Sequence, residues 1–170
     1  MAALGLSGAN REVARGWLSL WSENKPPRRT RFLEDCDWRL KPAIATFEVR
    51  RNKSLRCIHA GGYFRLALGF ELAGQDILAL TPAAERQERL ERTWAIGNGL
   101  IVTGARKFRT RFGAEETAEE IYLPLSDVPD LDTRMYLMHS SWRPVGEEWV
   151  QGTVATTLEL TRDHQSVSLA

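Results

Sequence analysis

Between Ala9 and Trp21 the apolar residues Val13, Trp17, Leu20 and Trp21 recur at i, i+4, i+7 and i+8, which puts them on one face of an α-helix. Asn10 stands where an N-cap is expected. Lys25-Pro26-Pro27 closes the element, because proline has no N–H for a further turn. Arg28, Arg29 and Arg31 read as a polar connector, followed by a single turn from Asp37 to Pro42 that holds Trp38 and Leu40. The pattern then alternates. Ala43–Arg50 (AIATFEVR) and Leu55–Ala60 (LRCIHA) are short, apolar and rich in β-formers, with Arg51-Asn52-Lys53-Ser54 between them, which predicts a hairpin. Asn52 is the turn residue that tolerates a left-handed backbone.

Gly61-Gly62 breaks the second strand, at a place where a positive φ or a close backbone approach calls for glycine. Tyr63–Leu68 reads as a short helix stopped by Gly69. Thr81-Pro82 opens a longer one, with Thr81 as N-cap and Pro82 in the first turn, running to Ile96. Its charged face carries the pairs Glu85–Arg89 and Glu88–Arg92, and Leu90 and Trp94 share the other face. Strand-like stretches follow at Leu100–Phe112, Glu119–Leu125, Arg134–Pro144 and Gly152–Thr161. Pro124 inside the second of these predicts an edge or a bulge. The expected organisation is a helical extension over residues 1–24, a main domain over 25–146, and a C-terminal extension over 147–170 with room for one more strand.

Composition narrows the function classes. The chain has 170 residues, 43% hydrophobic and 26% charged, enough for one globular core. A net charge of +1 lacks the cationic excess that coating nucleic acid demands. Cys36 and Cys57 form no CxxC pair, which fits a reduced, cytoplasmic protein rather than a disulfide scaffold. No apolar run reaches the roughly 18 residues of a membrane span. Met1–Gly8 lacks the basic start and long apolar centre of a signal peptide.

Particular stretches resemble a known family. Trp17-Leu18-Ser19-Leu20-Trp21 followed by Lys25-Pro26-Pro27-Arg28-Arg29 is similar to the opening helix and basic connector of the bacterial PAS-like family of unknown function, whose members are short stand-alone proteins. Leu40-Lys41-Pro42 before the first strand resembles the same pattern, as do Leu55-Arg56 through Ala60-Gly61, Leu68-Gly69, Leu72-Ala73-Gly74 and Glu120-Ile121-Tyr122-Leu123-Pro124-Leu125. The likeness runs from Val13 to Trp142, and departs at Ile58 and Gly62, where the family often has Arg and Thr. It implies an α+β, PAS-like antiparallel sheet of five or six strands with helices on one face and an N-terminal amphipathic helix. It also implies a non-enzymatic sensory or protein-interaction domain in signalling.

The residues bear on several chemistries. Haem in this fold uses a histidine on the long middle helix, and Pro82–Ile96 has none. Flavin photochemistry uses a cysteine in the helical segment, and Gly62–Leu80 has none, so both cofactors are disfavoured. Of the three histidines, His59, His139 and His164, the first two lie on expected strands and read as ordinary hydrogen-bonded residues rather than metal ligands. Cys57 and His59, two apart on one strand, are expected on one face and supply the alternative of an enzyme or carrier with a thiol–imidazole pair. Arg28, Arg29 and Arg31, with Lys107, Arg109 and Arg111, supply a third reading, anion or nucleic-acid binding. Glu115-Glu116 and Glu119-Glu120 are expected to be solvated. A pocket for a small organic ligand would be lined by Phe47, Cys57, His59, Phe64, Trp94, Phe108, Tyr122, Tyr136 and Ser140. Phe112 and Trp142 belong to the same aromatic set. The stripe Val13, Trp17, Leu20 and Trp21 must be covered either by its own sheet or by a second copy in a homodimer.

Overall fold

The computed structural model describes residues 8–23, 25–110, 115–127, 130–143, 155–160 and 165–168. The expected hairpin forms as β1 (Ile44–Arg50) and β2 (Ser54–Ala60), with Asn52 at φ +53° in the turn between them. The three later strands are β3 (Leu100–Thr110), β4 (Glu115–Leu125) and β5 (Thr133–Arg143). All pairings are antiparallel and the sheet order is β2-β1-β5-β4-β3, so the last of these strands returns to lie beside the first. The fold is therefore α+β on an open antiparallel sheet.

Two short strands extend it. β6 (Ala155–Leu160) and β7 (Gln165–Ser168) pair in succession along the outer side of β3. The C-terminal region thus adds two strands to the sheet where room for one was expected. At the other edge, residues Gly74–Ile77 run beside β2, bonding through Cys57 N–H to the Gln75 carbonyl at 3.0 Å and Ile77 N–H to the Leu55 carbonyl at 2.8 Å. Covering both sides in this way leaves neither β2 nor β3 as a bare edge that could template aggregation.

Helices cover both faces. On one lie α3 (Gly62–Leu68) and α4 (Arg86–Gly97); on the other lie α1 (Gly8–Ser19) and α2 (Arg29–Asp35). The N-terminal helix expected apart from the main helical layer thus forms a second layer, together with α2. Alternation along β1 explains how one sheet serves both: Ala45, Phe47 and Val49 join the α3/α4 core, and Ile44 the α1/α2 core.

Four local expectations need correction. The connector at Arg28–Arg31 is the start of α2, because Phe32 is buried in the α1/α2 core and Arg31 pairs with Asp35 at 2.7 Å, one turn on. Asn10 does not cap α1; it lies inside the helix with its amide buried against the sheet. Thr81 does not cap α4 either, since its hydroxyl donates back to the Ile77 carbonyl at 2.6 Å. A 3-10 turn at Ala83–Glu85 precedes the α-helix proper. Pro124 lies in the central strand β4, but beyond the last β3 pair at Val102–Tyr122, so its missing N–H leaves no gap in the β3 ladder.

Gly61 shows why the second strand ends as it does. Its φ is an ordinary −69°, but a Cβ there would stand 2.3 Å from the Pro42 carbonyl oxygen, so the requirement is close approach.

Candidate functional site

The inner face of the sheet, under α3 and α4, collects four of the aromatic residues that the sequence singled out. Phe47, Cys57, Phe64, Tyr122 and Tyr136 are buried in one cluster with Leu90, Ile96 and Met138. Phe47 and Tyr136 are register partners on β1 and β5, and their rings stack with centroids 5.0 Å apart. Tyr122 reaches Tyr136 at 6.2 Å. Burial pushes the Tyr136 phenol well above its ordinary pKa, so it stays neutral.

One end of this face is polar. Counting back from Tyr122 by two along β4 reaches Glu120, and the register sets Glu120 opposite Ser140 on β5. Glu120 is only 4% exposed, which corrects its expected place on the solvated surface. The Tyr122 hydroxyl donates to the Glu120 carboxylate at 2.5 Å. A charge-assisted bond of this kind compensates part of the desolvation of a buried carboxylate. Ser140 is fully buried, yet its hydroxyl has no hydrogen-bond partner among the described residues. The hydroxyls of Thr46 and Thr133 are likewise buried without a partner among the described residues, and Ser140 is the one of the three that stands opposite Glu120 on the aromatic face, where a polar atom would satisfy it.

Two of the candidate lining residues are placed elsewhere. Trp94 sits half-buried at the margin of the cluster, its ring flanked by the guanidinium carbons of Arg134 at 4.9 Å and Arg51 at 5.8 Å. His59 is displaced by a β-bulge. The register pairs Phe47 with Cys57 but the preceding Thr46 with His59, leaving Ile58 as the extra residue. Thr46 and Phe47 are successive and point to opposite faces, so Cys57 and His59 do not share one. The Cys57 thiol contacts the His59 backbone carbonyl, 3.3 Å away, rather than its imidazole. Burial pushes that thiol up to about 12, and desolvation with the nearby Arg29 charge lowers the His59 pKa. The expected thiol–imidazole pair is therefore not assembled. Phe108 belongs to β3 by its backbone; its side chain, that of Trp142, and Phe112 and His164 lie outside the described residues.

No family model, curated protein or solved structure matches this chain.

On the opposite face, the stripe of α1 is covered by its own sheet. Val13 and Trp17 are 1% and 0% exposed, and Leu20 and Trp21 pack half-buried against the same core. The helix is pinned by two polar contacts. The Trp17 indole N–H donates to the Pro124 carbonyl at 2.8 Å. The Asn10 amide donates to the Glu119 carbonyl at 3.2 Å, which leaves its oxygen facing His139 Nδ1 at 2.6 Å. That oxygen can only accept, so Nδ1 carries the proton. Burial lowers the His139 pKa to about 4, so the ring is neutral at pH 7.

The arginine cluster is dispersed in role. Arg31 is exposed and paired with Asp35, and the Arg29 backbone N–H donates to the Asp127 carboxylate at the start of α2. Lys107 and Arg109 pair by backbone register with Thr117 and Glu115, while Arg111 lies outside the described residues. Among the described residues no helix is long and apolar enough to cross a membrane.

Proposed function

We propose that this chain is a PAS-like sensory domain that holds a small organic ligand between its sheet and α3/α4. The observation that carries the reading is the unmet hydroxyl of Ser140 beside the Glu120–Tyr122 pair, at the polar end of an otherwise aromatic face. Binding sites for small molecules combine this kind of apolar lining with a few convergent polar groups. The ligand is an apolar or aromatic body with one group that hydrogen-bonds Ser140, whose hydroxyl can donate or accept. The element order, a hairpin followed by helices and then a meander that returns to the first strand, agrees with the family resemblance. Signalling follows if the loaded and empty forms differ in affinity for a partner.

Native mass spectrometry of the protein purified from its own host tests this. The expected spectrum carries a non-covalent added mass that is lost in Ser140→Leu, which fills the space with an apolar side chain. If Ser140→Leu fails to fold, Ser140→Ala keeps the shape and weakens retention through the missing hydroxyl alone. A wild-type protein at its bare mass overturns the proposal, and so does an adduct untouched by Ser140→Ala in a folded variant.

A further inference from the structure

The outer surface of α1 has a feature unrelated to the ligand reading. A groove of about 320 Å³ runs between α1 and the segment from Phe32 to Leu40, floored by Val13, Leu20, Phe32 and Leu40. Gly16 lines it in mid-helix, with nothing within 4 Å of where its Cβ would be. Glycine in a helix interior is unfavourable against alanine, and here it keeps the groove open. At one end stands Trp38, 77% exposed, between Asp37 and Arg39, which line the groove while Trp38 itself does not. That end lies beside Glu12, whose carboxylate favours the Arg39 charge.

The rim selects the occupant. Asp35 is paired with Arg31, and Asp37 with Arg39 at 2.6 Å. On the α1 side the groove lining holds one acid and one base a turn apart, Glu12 and Arg15, neither in an ion pair among the described residues. A surface with no net charge, a hollow and its own projecting aromatic is self-complementary. That is the condition for a closed two-fold contact, in which each copy offers the same patch.

We infer that the groove between α1 and α2 receives Trp38 of a second copy of this chain, forming a two-fold dimer. An antiparallel crossing of the two α1 helices sets Glu12 of each copy against Arg15 of the other. The same crossing carries Trp38, at the Glu12 end, onto the notch at Gly16 of the other copy. The dimer thus uses the side of α1 that faces Phe32–Leu40, with Val13 and Leu20 as its floor, and leaves Trp17 on the sheet.

Sedimentation equilibrium on the full chain, with thermal melts as a folding control, tests it. Wild type is expected to dimerise. Trp38→Ser is expected to weaken dimerisation about 900-fold, because the two-fold contact loses both of its aromatic anchors, about 2 kcal/mol each. It should leave monomer stability unchanged, since an exposed ring supports no core. Gly16→Leu, which fills the hollow from the other side, should do the same. Glu12→Arg should weaken association, and Glu12→Arg with Arg15→Glu should restore it. A monomeric wild type overturns the inference. So does a dimer indifferent to Trp38→Ser and Gly16→Leu, or a charge swap that fails to rescue.

Discussion

Acidification should lower the stability of the fold through one residue beneath α1, His139. The imidazole is 2% exposed, with a folded pKa of about 4 against an ordinary 6.5. A histidine held neutral by burial binds fewer protons in the folded state than in the unfolded state at any pH between these values. Its contribution to stability is therefore complete above pH 6.5 and is lost as pH falls towards 4. Integrating that difference gives a loss of about 2 kcal/mol by pH 5 and about 3 kcal/mol by pH 4. Protonation keeps the Nδ1–H donated to Asn10 and adds an N–H at Nε2, which then needs an acceptor inside a buried site. Urea unfolding at pH 7, 6 and 5 should show this for wild type against His139→Gln. Carboxylates and His59 titrate in both proteins, so the difference isolates His139. The variant should be the less stable at pH 7, with the gap narrowing by about 2 kcal/mol at pH 5. A gap that does not change with pH would refute the buried, neutral assignment.

Other outcomes follow from the same contacts. Trp17→Phe keeps most of the ring but strands the Pro124 carbonyl, and should lower stability by about 1–2 kcal/mol in chemical denaturation; Trp17→Ala should cost about 3–5 kcal/mol. Gly61→Ala drives a methyl into the Pro42 carbonyl and should destabilise by about 1–3 kcal/mol, whereas Gly62→Ala, with open space and a helical position, should be neutral or raise the melting temperature. Thiol labelling of native protein at pH 7.5 should reach half-buried Cys36 slowly and Cys57 only on unfolding, because burial raises both thiol pKa values. Rapid labelling of Cys57 would reinstate a reactive thiol.

The elements were legible where one local force governs them. The alternation of β1 and β2, the Asn52 turn and the Gly69 stop of α3 are decided by neighbours in sequence, and the strands and helices form there. What escaped depends on distant contacts. The short helix α2 is amphipathic over too few residues to register, and holds only because Phe32 finds the core that α1 and the sheet build. The bulge opposite Thr46 has no signature in LRCIHA, so a period-two count placed Cys57 and His59 together. Asn10 looked like a cap because asparagine caps helices; its real partners, Glu119 and His139, are more than a hundred residues away. Glu120 could have been found: the alternation that turns Tyr122 inward turns Glu120 inward too, although paired glutamates suggest solvent.

The ligand reading meets its most direct test at a single atom, the Ser140 hydroxyl oxygen. A high-resolution crystal structure of protein taken from its own host should show a polar atom of an organic molecule about 3 Å from that oxygen, with the rest of the molecule against the aromatic face. A lone water there, or protein atoms closing the space, would contradict the proposed site.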